Sequence, residues 1–176
     1  MFLFMQEKSI VLPIEVFLRE LPYKAPLSII LADLGYSVYL GRQKEITLFW
    51  HNLKDFFYID KSAAKTKKKL FKDIQNCGGN IGVFCEEGLV FKNGKQYLAE
   101  RVDENSFDYI DIFWAWGPEH FKLVSHKFGK NKLEIITSPR IGLLYNLVEI
   151  NKRKKYEKNS ILFLTSFGII DNRLEN

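Results

Sequence analysis

Two adjacent carboxylates, Glu86 and Glu87, follow a short apolar run in the stretch VFCEEGLVFK, residues 83–92. The run is typical of a buried strand, so the acids stand where a core element ends. A carboxylate at the mouth of a cleft, with its pKa raised by a like-charged neighbour and by partial burial, can act as a general base. Acids near a helix N-terminus are also favourable on electrostatic grounds alone. Catalysis and helix capping therefore both remain open for this pair.

Polar, charged or glycine residues also follow the other predicted strands. In a parallel α/β sheet, ligands bind outside the carboxyl ends of the strands. A cleft lined there by carboxylates, basic groups and backbone amides would suit a polyhydroxylated or phosphorylated ligand. Loops after such strands are polar in any case, so each position also has a structural interpretation. The candidate substrate-binding residues are Glu15, Arg19, Gly41, Gln43, Lys44, Asp60, Gly88, Trp116 and Arg140.

One of these loops combines a glycine with a base. Gly41 would let a phosphate or a sugar hydroxyl approach the backbone, and Lys44 would supply charge. The same residues could form an ordinary first helical turn.

The motifs of several cofactor and metal sites are missing. The three histidines His51, His120 and His126 have no metal-type spacing, so no metal is expected. The chain has no GxGxxG, GxxxxGK[ST] or GxSxG motif, so dinucleotide binding, P-loop hydrolysis and serine hydrolysis lack their signatures. We expect no cofactor.

Short apolar runs alternate with amphipathic segments along most of the chain. Strands are predicted at 9–16, 37–41, 56–60, 80–88, 111–117 and 132–137. Helices are predicted at 25–36, 44–53, 61–79, 94–102, 118–129 and 141–150. This alternation predicts a Rossmann-like, three-layer α/β/α domain with a mainly parallel sheet.

The C-terminal region changes composition. We expect a domain over 1–150, a basic linker over 151–160, and the first strand of a missing or truncated further domain over 161–176. The chain has 176 residues and a formal net charge of +5, much of it in the runs 65–72 and 152–158. Without a recognised motif this charge does not indicate nucleic-acid binding, although it could allow peripheral contact with an anionic membrane.

The first five residues are apolar but too few to span a membrane or to form a signal peptide. Cys77 and Cys85 lack metal-type spacing and are expected to be reduced thiols. We therefore expect a cytoplasmic protein, with the inner face of the cytoplasmic membrane as an alternative location.

Six short motifs carry a family resemblance. They are LPIEVFLRE (12–20), GRQKEI (41–46), IDKS (59–62), EEGL (86–89), AWG (115–117) and TSPR (137–140). In order and spacing the chain resembles bacterial surface carbohydrate biosynthesis proteins, which look like GT-B glycosyltransferases of capsule and lipopolysaccharide assembly. The family usually has a Gly-Asn-Pro-Arg type turn after the sixth strand, whereas here Ser138 directly precedes Pro139 and Arg140.

The resemblance implies a function in which two halves of the enzyme bind different substrates. This half would receive a saccharide or lipid-linked saccharide acceptor, while a C-terminal half would hold most of the activated sugar donor. Glu86 or Glu87 would deprotonate the acceptor hydroxyl, and Arg19, Lys44 and Arg140 would hold anionic groups. The chain would then be inactive alone. The alternatives are a non-catalytic Rossmann-like binding or assembly module and a small α/β enzyme acting on a phosphorylated metabolite.

Overall fold

A six-stranded, all-parallel sheet forms the centre of the protein. The computed structural model describes residues 8–85 and 93–151. The strands are β1 Ser9–Ile14, β2 Ser37–Arg42, β3 Phe56–Asp60, β4 Asn80–Phe84, β5 Ile112–Ala115 and β6 Leu133–Ile135. The helices are α1 Phe17–Asp33, α2 Gln43–Phe49, α3 Lys68–Asn76, α4 Gly94–Arg101, α5 Glu104–Phe107, α6 Pro118–Phe128 and α7 Pro139–Asn151. The prediction of a Rossmann-like α/β fold is confirmed.

The strand order is β2-β1-β3-β4-β5-β6. Ser9 of β1 pairs with Ser37 on one side and with Phe56 on the other. The chain thus moves outward from β1 to β2 and then crosses back over β1 to β3. The direction of winding reverses between β1 and β3, which is the topological switch point where such sheets usually bind ligands.

Helices α2, α3 and α6 pack on one face of the sheet. Val11 of β1 and Phe113 of β5 join a buried cluster there with Ile46, Phe71 and Val124 from these three helices. Alternate strand residues point to this face, as the period of two in a strand requires.

The opposite face carries α1 over β1 and β2. Leu27 and Leu31 of α1 pack against a smaller cluster that includes Leu12. Further along this face, the Trp114 ring stacks on Phe84 at 4.4 Å between centroids and lies 6.1 Å from Phe57. A side chain at Gly82 would come within 2.5 Å of the Trp114 ring, so this glycine makes room for the aromatic group.

Several predicted boundaries are wrong. Helix α1 begins at Phe17 rather than at residue 25 and contains two prolines, Pro22 and Pro26. The predicted helix 61–79 consists of a 3₁₀ turn at Lys65–Lys67 followed by α3. Helix α5 was not predicted. The predicted linker and terminal strand lie beyond Asn151, outside the described residues.

Within the described part of the chain, no helix is long and apolar enough to cross a membrane.

Candidate functional site

A buried carboxylate, Glu20, organises the loop between β1 and α1. Its side chain is completely buried and accepts hydrogen bonds from the backbone N–H groups of Glu15 and Val16, at 3.2 and 2.9 Å. Lys24, one turn further along α1, donates to the same carboxylate at 2.8 Å and also to the Pro13 carbonyl. Burial alone would raise the pKa of Glu20, but Lys24 and the two backbone donors lower it to about 2.

Lys61 joins the ends of β1 and β3. It follows β3 directly, and its Nζ lies 3.0 Å from Glu15 Oε2 and 3.2 Å from Glu20 Oε1. Although burial opposes the charged amine, these two carboxylates raise the pKa of Lys61. The hydrogen bond from Lys61 in turn lowers the pKa of Glu15. The switch point is therefore held by charged groups that stay ionised at neutral pH.

Asp60 is the last residue of β3, and Tyr58 lies at the middle of the strand. The Asp60 carboxylate is 2% exposed, accepts from the Ser62 N–H and pairs with Lys67 at 3.1 Å. Tyr58 is fully buried, and the polar side chains of Asp60 and Gln43 lie near its hydroxyl. Burial raises the pKa of Tyr58, and the nearby negative charge of Asp60 raises it further. Tyr58 is therefore a neutral phenol.

A pocket of about 660 Å³ opens beside this network at the carboxyl ends of β1 and β2. We call it the switch-point pocket, because it lies directly beside the switch point, on the β2 side of β1. Its described lining combines carboxylates, cations, an amide, a hydroxyl and apolar groups. The lining residues are Ile14, Glu15, Phe17, Arg42, Gln43, Lys44, Glu45 and Thr47.

The structure gathers part of the predicted site here. Glu15, Gln43 and Lys44 line the switch-point pocket. Arg19 lies beside it, with its guanidinium 3.8 Å from the Glu20 carboxylate. The Asp60 carboxylate instead accepts hydrogen bonds from Lys67 and from the Ser62 backbone N–H.

Gly41 is not among the described lining residues. A Cβ at this position would lie 3.3 Å from the Ile46 side chain. The missing side chain therefore makes room for packing between β2 and α2, and its predicted contact with a ligand stays a prediction.

Trp116 and Arg140 are placed far from the switch-point pocket. Trp116 lines a second pocket, of about 420 Å³, at the carboxyl ends of β5 and β6, which we call the β5–β6 pocket. Arg140 is exposed in the first turn of α7 and is not among the residues that line it. Four strand spacings, about 19 Å, separate the two pockets along the sheet edge. The predicted residues therefore divide between two places.

The proposed catalytic pair Glu86 and Glu87, with Gly88, lies outside the described residues. Immediately before it, Cys85 accepts a hydrogen bond from the Tyr97 hydroxyl at 2.8 Å, and that hydroxyl lies 2.7 Å from His120 Nε2. His120 Nδ1 accepts from the Trp116 backbone N–H at 3.1 Å, so Nε2 carries the ring proton and donates to Tyr97. Burial lowers the pKa of His120 to about 4.

Sequence reasoning missed Glu20, Lys24, Lys61 and Tyr58 as members of the site. The Glu20–Lys24 pair has i,i+4 spacing, which was a usable signal once a helix had been placed there. Lys61 directly follows Asp60 within IDKS, so its position at the strand end was also readable. Tyr58 belongs to the buried core cluster, and the sequence pattern does not show that it lies near Asp60.

In residues 8–85 and 93–151, no group of three or more His, Cys, Asp or Glu side chains could hold a metal ion. Both cysteines are present as thiols. Comparison of the chain with protein-family models, with curated proteins and with solved structures finds no match.

Proposed function

We propose that this chain is the acceptor-side domain of a GT-B-like glycosyltransferase that builds a surface polysaccharide such as capsule or lipopolysaccharide. The observation that supports the proposal best is the switch-point pocket, which opens at the carboxyl edge of a parallel sheet. The family resemblance of the six sequence motifs supplies the reaction class.

The charges of the pocket suit an acceptor that has both hydroxyl and anionic groups. Arg42 and Lys44 are exposed at its wall, where they can bind a phosphate or a carboxylate. Gln43 can both donate to and accept from sugar hydroxyls. A phosphorylated or lipid-linked saccharide carries both kinds of group.

In this proposal Glu15 binds hydroxyl groups of the acceptor and does not act as the general base. Since Lys61 lowers its pKa, the carboxylate is a weak base at neutral pH and a good acceptor for hydroxyl groups. Deprotonation of the acceptor is therefore assigned to Glu86 or Glu87. The activated sugar donor would be held mainly by a second Rossmann-like half, so the chain alone would not turn over.

Binding of an anionic sugar tests the acceptor role. We expect glucose 1-phosphate to shift the backbone amide resonances of Gln43 and Lys44 in ¹H–¹⁵N spectra of the full chain. Lys44→Ala should weaken this binding about tenfold, the lower end of the cost of one charge-assisted hydrogen bond. Lys54→Ala removes an exposed lysine just before β3, at the opposite edge of the sheet, and should leave the affinity unchanged. Equal effects of the two substitutions would contradict the assignment of this pocket.

Nucleotide-sugars test the two-domain arrangement. Isothermal titration of the chain with UDP-glucose and GDP-mannose should show weak binding or none. Tight binding of either donor by this chain would rule out a donor site held mainly elsewhere. Steady turnover of a phosphorylated metabolite by the isolated chain would instead favour a small self-contained α/β enzyme.

A further inference from the structure

Two buried polar atoms beside the β5–β6 pocket have no hydrogen-bond partner in the part of the chain that the structure describes. Within the described residues, neither the Trp116 indole Nε1 nor the Ser138 hydroxyl is bonded, and both atoms are inaccessible to water. The whole Ser138 residue is only 3% exposed. Both residues line the β5–β6 pocket. Buried polar groups in folded proteins nearly always have a hydrogen-bond partner. Two unpaired polar atoms at one cavity therefore point to a bound ligand as the missing partner.

The hydrogen-bonding capacity of these two unpaired atoms defines which groups the ligand must carry. An indole N–H can only donate, and a serine hydroxyl can donate as well as accept. Helix α6 begins at Pro118, directly after Gly117 with φ of 127°, and the N-terminus of this 11-residue helix is at the same pocket. A helix N-terminus favours acceptor oxygens. The pocket therefore suits a ligand rich in hydrogen-bond acceptors.

The remaining lining makes a neutral ligand preferable to an ionic one. Among the described residues that line the pocket, none is charged. Side chains of Pro118, Ile135, Ile136 and Ile141 supply apolar contact area. A volume of about 420 Å³ is within the usual range for small-molecule sites. A neutral saccharide ring matches this lining, because it combines C–H surfaces with hydroxyl oxygens.

The backbone below Trp116 is anchored before any ligand binds. Its N–H donates to His120 Nδ1 at 3.1 Å, and His120 is held in turn by the Tyr97 hydroxyl at 2.7 Å. His120 is 5% exposed and Tyr97 is 3% exposed, so this support lies inside the core. The two hydrogen-bond donors of the pocket, Trp116 Nε1 and Ser138 Oγ, are also already buried away from water. An acceptor oxygen that draws either side chain toward it therefore gains a hydrogen bond without a new desolvation cost.

We propose that the β5–β6 pocket is a subsite for an uncharged saccharide ring, hydrogen-bonded by Trp116 Nε1 and Ser138 Oγ. The choice of a saccharide rests on the proposed acceptor function. The subsite extends that function, because it lies about 19 Å from the cationic switch-point pocket along the sheet edge. One acceptor can reach both pockets only if it is an extended chain of several sugars, with its anionic group at the switch point.

The indole N–H resonances of the full chain provide a direct test. The protein has three tryptophans, and Trp116→Phe identifies the Trp116 signal by its loss. We expect methyl glucoside, methyl galactoside, methyl mannoside or N-acetylglucosamine to move that signal downfield in a saturable manner, whereas inorganic phosphate leaves it in place. Ser138→Ala should weaken the response about fivefold, the cost of one neutral hydrogen bond. Ser125→Ala, which removes a hydroxyl already bonded to the Lys122 carbonyl, serves as the matched control.

The outcomes separate this subsite from the acceptor function. Glycosides that shift the Gln43 and Lys44 amides but not the Trp116 indole would overturn the subsite and leave the acceptor function standing. A Trp116 shift with phosphate as large as with the glycosides would overturn the neutral-ligand assignment. No response of Trp116 to any glycoside would also overturn it. Thermal unfolding of Ser138→Ala should show stability equal to or above that of the parent, so a loss of binding cannot be attributed to a loss of folding.

Discussion

Glu20 connects the start of α1 to the ends of β1 and β3 through a single carboxylate. The carboxylate is completely buried. It accepts hydrogen bonds from two backbone N–H groups and pairs with the ammonium groups of Lys24 and Lys61. Breaking a buried ion pair leaves a charge without a partner, and this costs more than the pair contributes. The residue therefore holds the β1–α1 loop in place, and with it Glu15 at the pocket wall.

Removing the charge of Glu20 should be strongly destabilising. We expect Glu20→Gln to lower the free energy of unfolding by about 3 kcal/mol, because Lys24 would then be buried opposite a neutral amide. Urea unfolding followed by circular dichroism measures the change. Glu119→Gln, an exposed acid in the first turn of α6, should change stability by less than about 0.5 kcal/mol. In a double-mutant cycle with Lys24→Met, strictly additive effects would argue against coupling of the pair.

The elements show where sequence patterns were sufficient and where they failed. Strand β3 was predicted with its observed bounds, because FFYID is a short run of aromatic and β-branched residues bounded by a charged loop. Helix α1 was predicted to begin eight residues late, since Pro22 and Pro26 are usually read as helix breakers. The buried Glu20–Lys24 pair and the two backbone bonds to Glu20 support the helix through this proline-containing turn. Such tertiary contacts have no periodic signature in the sequence.

Gly82 is required by the packing of β4 against its neighbours. A methyl group there would lie 2.5 Å from two atoms of the Trp114 ring and 2.7 Å from the Phe57 ring. We expect Gly82→Ala to cost about 1–3 kcal/mol by overpacking and to change the tryptophan fluorescence, both measurable in a urea titration. Gly142→Ala, where a new Cβ meets nothing within 4 Å, should be neutral or slightly stabilising in helix α7. Full stability in Gly82→Ala would mean that the aromatic group moves aside easily.

At the scale of the whole molecule, the sequence indicates which edge of the sheet carries the candidate residues but not how far apart they lie along that edge. Four residues chosen by the rule that ligands bind at the carboxyl ends of parallel strands line pockets there: Glu15, Gln43, Lys44 and Trp116. The strand order, however, depends on which crossovers the chain makes. That order separates Trp116 from Glu15 by three strand spacings and from Gln43 and Lys44 by four.

The stability of the whole fold should fall with acidity in two steps. The folded pKa of His120, about 4, lies below its ordinary 6.5, so between these values the unfolded chain binds a proton that the folded imidazole does not, and stability falls as the pH drops from about 6.5 to 4. The folded pKa of Glu20, about 2, also lies below its ordinary 4.5, so its contribution is lost as the pH falls from about 4.5 to 2.

Urea unfolding at pH 7.5, 5 and 3.5 measures both steps. His120→Gln should remove most of the first decline, whereas His126→Gln, exposed on the same helix, should retain it. An identical upper decline in both variants would assign that step to other groups.

The two pockets draw on separate stretches of the chain. All described lining residues of the switch-point pocket lie between Ile14 and Thr47, and those of the β5–β6 pocket lie between Trp116 and Ile141. No strand or helix contributes to both. In evolutionary terms, substitutions or short insertions in one stretch can alter what one pocket recognises while the other keeps its ligand. Selection could thus produce new acceptor preferences by recombining two independently varying halves of one sheet edge.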